Sequence, residues 1–322
     1  MRRGIIYEAG YRPLFSGHET FTLRYGWLKK IYDAVKNSTE DLGNKSIFLN
    51  DDAIARFGVG KNMVRSMRHW GLACGIISEE SKSGQLSTTV LGDFLFGDNG
   101  IDPFLENPGS IWLLHWNLCS GDVTEGLKTT WYWVVNYFSD PIFTRDKLVE
   151  KLAQVATERA WGSGSHVTLK RDVECFVRSY EYRAIHDASS VEESLDSIFA
   201  ELGLIARTDS HSFGFVRGEK HTLPNSVFIH ALNHFWKRIG DTKSLSFDAI
   251  AYDIGSPGRV FMLDEQALGD RLLALESLTK GVFSWSETAG LRQVLRSHFL
   301  EDHNTYELIK NEYEFIFSGA LS

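Results

Sequence analysis

Between residues 48 and 96 short apolar stripes alternate with glycine-marked turns. Asn50 is placed to cap a helix, and Asp51 and Asp52 follow where the helix dipole favours negative charge. This helix ends at Phe57 before Gly58, and Val59-Gly60 forms the turn. A second helix is expected from about Lys61 to Trp70, with Met63, Val64, Met67 and Trp70 on one stripe. Lys61, Asn62, Arg65, Ser66, Arg68 and His69 fall largely on the other side. Ile76-Ile77, a polar turn over 78–84, and residues 86–91 with β-branched Thr88, Thr89 and Val90 would add a two-stranded wing. Two helices across a glycine turn, the second basic outside, followed by a hairpin, make the pattern of a winged helix-turn-helix. That pattern fits DNA contact by Lys61, Asn62, Arg65, Ser66, Arg68 and His69. Winged folds also serve protein interaction, and the basic face of a small helical unit can simply be solvated.

The same reading extends in both directions. Upstream, Thr20 or Thr22 could cap a helix that runs to about Lys36 and buries Trp27, Leu28, Ile31, Tyr32 and Val35. Arg24, Lys29, Lys30 and Lys36 lie between those positions and could follow a phosphate backbone. A polar glycine loop over 42–45 separates the two segments. Downstream, Gly100, Pro103 and Pro108-Gly109 mark a domain boundary. Trp112, Trp116, Trp131, Trp133, Tyr137 and Phe138 read as contents of core helices. A base-stacking platform is the weaker reading, because only Lys128 interleaves with the run.

Thr144 caps a helix over 145–161, and Thr168 caps an amphipathic one over 169–182 with Val173, Phe176, Val177 and Tyr180 inward. A helix over 191–203, short strands over 204–221 and a helix opened by Pro224 over 225–240 follow. Residues 244–278 repeat the helix-turn-helix rhythm, with Asp264, Glu265 and Asp270 making the second helix acidic and suited to protein contact. Residues 282–296 alternate like a strand and then turn helical. The expected fold is mainly α with an α+β character, in three modules. These are an N-terminal helix plus DNA-binding winged helix over 1–100, a helical middle domain over 101–215, and an α+β domain over 216–322 with a second winged-helix-like unit. No sequence repeat is strong enough to claim duplication.

Charge adds an asymmetry to this picture. The chain of 322 residues has a net charge of −8, which argues against a uniform nucleic-acid coat. Residues 1–78, however, carry 12 Lys and Arg against 7 Asp and Glu, and the remainder 22 against 35. A basic head on an acidic body suits DNA at one end and protein at the other, although solubility explains an acidic body equally well. Cys74, Cys119 and Cys175 are far apart among apolar neighbours, with no zinc-ligand spacing, as in a reducing cytoplasmic setting. Nothing is apolar and long enough to span a membrane, and the N-terminus has no signal-peptide pattern.

Candidate chemistry is sparse. His18-Glu19 puts a base and a carboxylate on one tight turn, where they could act catalytically or bind a metal. They could equally cap and pin the helix that follows. His230 and His234 stand at i and i+4, a metal-compatible spacing, but lack the intervening glutamate of a metalloprotease. Gly162-Ser163-Gly164 has no Lys-Ser/Thr pair after it, so it is no phosphate loop. Glu219-Lys220 alone is too little for a nuclease.

The segments FSGHETFTLRYGWLKK (15–30), VGKNMVRSMRHW (59–70), IDPFLENPGSIWLLHW (101–116), AELGLI (200–205) and SPGRVFMLDE (256–265) resemble a bacterial family of unknown function. They cover about 250 residues in order, and each is moderately specific alone. Members of that family lie in gene clusters for DNA phosphorothioation. The resemblance implies the DNA-nicking component of the single-stranded version of that system. Its implied partners are double-stranded DNA and the sulfur-transfer enzymes, PAPS-reductase-like and cysteine-desulfurase-dependent. Nicking would call for a divalent metal, Mg or Mn, whose ligands the resemblance does not assign. Two other functions stay open: a non-catalytic adaptor that docks the sulfur-transfer enzyme on DNA, and a winged-helix transcriptional regulator, which would be a homodimer.

Overall fold

Apolar positions three and four apart build the helices of this chain, and short capped strands connect them. A computed structural model describes residues 4–38, 47–48, 52–121, 125–126, 128–162, 164–182, 197–288 and 290–319. A 3-10 turn (Ile5–Tyr7) and a two-residue strand, β1 (Arg12–Pro13), come first. Helix α1 (Trp27–Lys36) then buries Trp27, Leu28, Ile31, Tyr32 and Val35. It starts later than a cap at Thr20 or Thr22 would allow. Its N-cap is Gly26 in the left-handed region, and residues 17–20 form a separate turn.

Helix α2 (Asp52–Phe57) and helix α3 (Lys61–Ala73) flank the glycine turn. The expected cap at Asn50 and the loop over 42–45 lie outside the described residues. Strands β2 (Ile77–Glu79) and β3 (Leu86–Thr88) pair antiparallel, with Ile77 opposite Thr88. Strand β3 is shorter than expected for a local reason. The Thr89 side chain accepts from Gly92 N at 3.0 Å and so caps helix α4 (Val90–Phe96), which takes Val90 and Leu91 out of the strand.

Helices α5 (Pro108–Cys119) and α6 (Thr129–Tyr137) are apolar almost all round and therefore buried on every side. Asn107 caps α5 by accepting from Gly109 N at 2.8 Å, with Pro108 at the first helical position. Trp112, Trp116, Trp131 and Trp133 are core residues, as their clustering in the sequence suggested. Between the two helices, strand β4 (Glu125–Gly126) pairs parallel with β1.

From α6 onward one order of elements occurs twice. First come β5 (Ile142–Thr144), α7 (Arg145–Glu158), α8 (His166–Tyr180), β6 (Ile205–Arg207) and β7 (Ser212–Phe215), forming a sheet in the order β5–β7–β6. Then α9 (Asn225–Ile239) leads into β8 (Ser244–Ser246), α10 (Phe247–Tyr252), α11 (Pro257–Val260), α12 (Glu265–Leu273) and α13 (Leu275–Leu278). Strands β9 (Phe283–Thr288) and β10 (Leu291–Arg296) complete a sheet in the order β8–β10–β9. In both units a helix precedes a three-residue strand, helices follow, and the first strand pairs with the last. Even the junctions match. Thr144 caps α7 and Ser246 caps α10, each directly after a buried strand residue, Phe143 or Leu245. Residues 27–88 follow the same order without the first strand. A last helix, α14 (Asp302–Gly319), packs on α9.

Three expectations need correction here. Helix α8 begins at His166 and is capped by Ser165, which accepts from Thr168 N at 3.2 Å, so Thr168 is not the cap. The helix expected over 191–203 is, in its described part, a 3-10 turn at Ile198–Leu202. Strands β9 and β10 pair as a hairpin, with no helix among the described residues of 283–296. Val294 points into the core while β10 is hydrogen-bonded on both sides, which satisfies its backbone as a strand.

One connected apolar cluster runs from Ile6 to Tyr313 and crosses residues 100 and 215 without a break. No helix among the described residues is long and apolar enough to cross a membrane. Within the third unit, α10 and α11 approach each other closely at Gly258 of α11. A Cβ there would stand 2.8 Å from Ala251 Cα and 2.9 Å from the carbonyl oxygens of Ala251 and Ile250. Main chain cannot yield as a side-chain tip can. Gly258→Ala is therefore expected to cost about 1–3 kcal/mol, read by urea denaturation. Unchanged stability would mean that α10 and α11 are not in backbone contact.

Candidate nucleic-acid interface

Helix α3 presents Lys61, Asn62 and Arg65 to solvent. Ser66 and His69 do not share that face. They are 0% and 6% exposed, contrary to the helical-wheel expectation. The cause is that α3 packs on two sides, against α1 and against the turn at residues 17–20, so its buried arc is wider than one apolar stripe. A Cβ on Gly17 would overlap the His69 ring at Nδ1, which shows how closely that turn lies on the helix. Arg68 is half-buried and pairs with Glu79 of β2 at 2.6 Å.

The upstream basic residues divide similarly. Arg24 lies before α1, half-buried, with its guanidinium 5.8 Å from the Trp27 ring centre. Lys29 donates to Asp33 at 2.6 Å, an i,i+4 pair that contributes only a few tenths of a kcal/mol at a surface. Lys30 is exposed.

The turn that carries His18 and Glu19 is pinned between α3 and α8. Phe21 O accepts from Trp70 Nε1 of α3 at 3.0 Å and from Cys175 Sγ of α8 at 3.5 Å. His18 is 2% exposed. Its Nε2 donates to Asp172 Oδ1 of α8 at 2.5 Å, and its Nδ1 accepts from Thr20 N at 3.0 Å. Thr130 of α6 donates to the other Asp172 oxygen. Burial, the largest influence, disfavours charge on His18, while the Asp172 carboxylate and the Cys175 side chain favour it. The Thr20 N–H, directed at Nδ1, requires a lone pair there and holds the neutral tautomer with its proton on Nε2. With both nitrogens committed and the ring enclosed, His18 occupies a structural position and is not open to a phosphate.

Glu19 faces the other way. Glu19 (φ 48°) and Thr20 (φ 67°) are consecutive non-glycine residues in the left-handed region, a strain of about 1–3 kcal/mol each. The bonds to Phe21 O and His18 hold the strained turn in place. The Glu19 carboxylate reaches the surface, with Oε1 3.8 Å from Arg65 Nη1. On its far side Arg178 Nη1 of α8 donates to Thr20 O at 3.4 Å. The exposed tip of the turn is thus bracketed by two arginines from two helices.

Sequence reasoning missed Asp172, Thr130 and Arg178. One signal was available for Asp172: it stands on the inward stripe of α8 with Leu169, Val173 and Phe176. A carboxylate at such a position needs a buried partner.

The remaining candidates are accounted for by packing. His230 Nδ1 bonds Thr305 Oγ1 at 2.9 Å, and His234 Nδ1 accepts from Trp116 Nε1 at 3.0 Å. Lys220 donates to Val216 O at 2.7 Å, and burial lowers its pKa to about 8. Glu219 pairs with Arg271 at 2.7 Å. All three cysteines are buried and unlinked. A cavity of about 610 Å³ is lined by Glu106, Glu219, Asp270, Arg271 and Glu312 among others. Its carboxylates would repel a polyanion. Among the described residues, no three His, Cys, Asp or Glu side chains converge as a metal site requires.

Comparison with known proteins gives two findings. A family model described as "Protein of unknown function (DUF4007)" matches residues 15–313. A structure described as "Magnesium ion-bound SspB crystal structure" superposes with a TM-score of 0.80 and 27% identity, covering 93% of this chain and 88% of that one. A second, "SspB crystal structure", gives 0.77 at the same identity and coverage. No curated protein matches.

Two outcomes follow from the buried network. His18→Ala leaves Asp172 without its imidazole partner and should cost about 3–5 kcal/mol. A variant with wild-type melting temperature would remove His18 from the structural role. Burial lowers the pKa of His69 to about 3 and of His115 to about 4. Below the unfolded value of about 6.5 the unfolded rings bind protons that the folded rings refuse. Stability is therefore fully present above that pH and should fall on acidification towards pH 4. Each ring contributes about 1.4 kcal/mol per pH unit to the slope. Urea denaturation between pH 7 and pH 4 reads this, and His69→Asn should remove one proton from the linkage.

Proposed function

Because the chain belongs to the family described as proteins of unknown function DUF4007, with SspB crystal structures among its structural relatives, we propose that it is the DNA-binding component of a DNA phosphorothioation system. The observation that carries this reading is the exposed start of α3. Lys61, Asn62 and Arg65 stand at the N-terminal end of the second helix of a helix–turn–helix, followed by the hairpin β2–β3. In winged helix-turn-helix proteins that end of the helix meets base edges in the major groove. The recurrence of the same element order over 129–215 and 225–296 supports a winged-helix reading of all three units. The acidic helix α12, with Glu265 and Asp270 exposed, suits a protein partner such as the sulfur-transfer enzyme.

Nicking is the activity that the resemblance adds. A divalent ion would supply an activated water or stabilise the leaving oxygen. The described residues offer no converging ligand set for it. A second reading, a DNA-docking adaptor without catalysis, is favoured by the enclosure of His18.

One experiment separates these readings. Purified protein is incubated with supercoiled plasmid, with and without Mg²⁺ or Mn²⁺, while duplex binding is measured in parallel. Metal-dependent relaxation that survives Glu19→Gln would assign nicking to residues outside this turn; binding without relaxation would assign the adaptor role. For binding itself, Arg65→Ala should weaken duplex affinity by about 1–3 kcal/mol if Arg65 meets a base edge. A folded Lys61→Ala/Asn62→Ala/Arg65→Ala variant with wild-type affinity would overturn the assignment of α3.

A further inference from the structure

We propose that α8 carries a second DNA-contacting surface, in which Lys170, Arg171 and Arg178 hold the phosphate backbone of the duplex that α3 engages. This rests on the DNA-binding reading above and extends it to a helix that the charge balance of the chain conceals.

The first ground is topology. Among the described elements, helix α8 is the last α-helix before the hairpin β6–β7 of its unit, with only the 3-10 turn at Ile198–Leu202 between them, as α3 is the last before β2–β3. The second is exposure and charge. Lys170, Arg171 and Arg178 all face solvent, and Lys170 and Arg171 form no ion pair with a described residue. Arg178 makes one long bond, at 3.4 Å, to Thr20 O. Exposed cations of this kind are what a phosphate backbone takes up, with release of its counterions.

The third ground is placement. Arg65 of α3 reaches Glu19, and Arg178 of α8 reaches the next residue, Thr20. The two helices therefore open onto one surface on either side of a single turn. Along α8, Arg171 and Arg178 are two helical turns apart, about 10 Å on one side of the helix. That distance is comparable to the rise of about three base pairs along the duplex axis, so the two cations can reach different phosphates. The exposed Glu174 stands between them, and Glu19 stands beside Arg65. The surface is consequently two basic clusters with carboxylates between, which fits separate phosphate contacts and not a continuous basic coat. Contacts of this kind position a duplex and carry no sequence preference.

The test uses the full chain and a short fluorescent duplex of arbitrary sequence, titrated over a salt series. Lys170→Ala/Arg171→Ala should keep the melting temperature, because both side chains are exposed. It should flatten the plot of log K against log salt by about 1.8, equally on every sequence, since each lost phosphate contact removes about 0.9. Lys170→Arg/Arg171→Lys, which keeps the charge, should bind as wild type. Glu174→Gln should bind more tightly. Lys61→Ala/Arg65→Ala is the reference for α3. If the α3 variant loses affinity while the α8 variant keeps wild-type affinity and slope, the proposal for α8 fails and the DNA-binding reading stands. If the wild-type protein binds no duplex at low salt, both fall together.

Discussion

A carboxylate in an apolar interior is costly unless its oxygens are satisfied, and Asp172 is 2% exposed. Its two donors come from distant parts of the chain, His18 from the entry turn and Thr130 from the start of α6. One side chain of α8 thereby gathers three segments, and the Trp70 bond to Phe21 O adds α3 as a fourth. The rings around this point reinforce it: Trp131 lies edge-on to His18 at 5.6 Å and to Trp70 at 5.3 Å. The position of the exposed side of the turn, with Arg65 and Arg178 beside it, follows from what is fastened on the buried side. Polar satisfaction within the core sets the geometry of the surface.

Local signals were legible in the sequence, and signals that need a distant partner were not. The stripe of α1, the cap at Thr144, the proline that opens α9, and the aromatic content of α5 and α6 each depend on neighbours within a few residues. Helical spacing gave the direction in which Ser66 and His69 point but not how many neighbours α3 would have, so both were assigned to the wrong environment. His18 and Glu19 drew notice for their chemistry, yet the partner that decides the role of His18 stands 154 residues away. The repeated element order was hidden for another reason. Strands β5 and β8 are three residues long, too short for a period of two to show.

Charge averaged over long stretches also misled. The division into a basic head and an acidic body holds as a count along the sequence. In space, α8 belongs to the body by sequence but packs on the entry turn of the head, where it brings Arg178 to the surface, and it carries the exposed Lys170 and Arg171 as well. Much of the acidity is spent elsewhere: Glu106, Glu219, Asp270 and Glu312 line the cavity. Glu312 accepts from the backbone amides of Asn225 and Ser226 at the start of α9, at 3.2 and 2.8 Å, where the helix dipole favours a negative group. Net charge is thus a weak guide to partners when the fold brings remote segments together.

The strained turn at Glu19 and Thr20 has one further effect. Since α3 and α8 are both bonded to it, the separation between their exposed faces is fixed by side-chain bonds and not by a tether whose length fluctuates. Any ligand long enough to touch both faces gives up its rotational freedom once, at the first contact, and meets the second face already in register. The second contact then behaves as an intramolecular event, with an effective local concentration set by the fold. Two individually weak surfaces held this way can yield an affinity greater than either would suggest, through preorganisation alone.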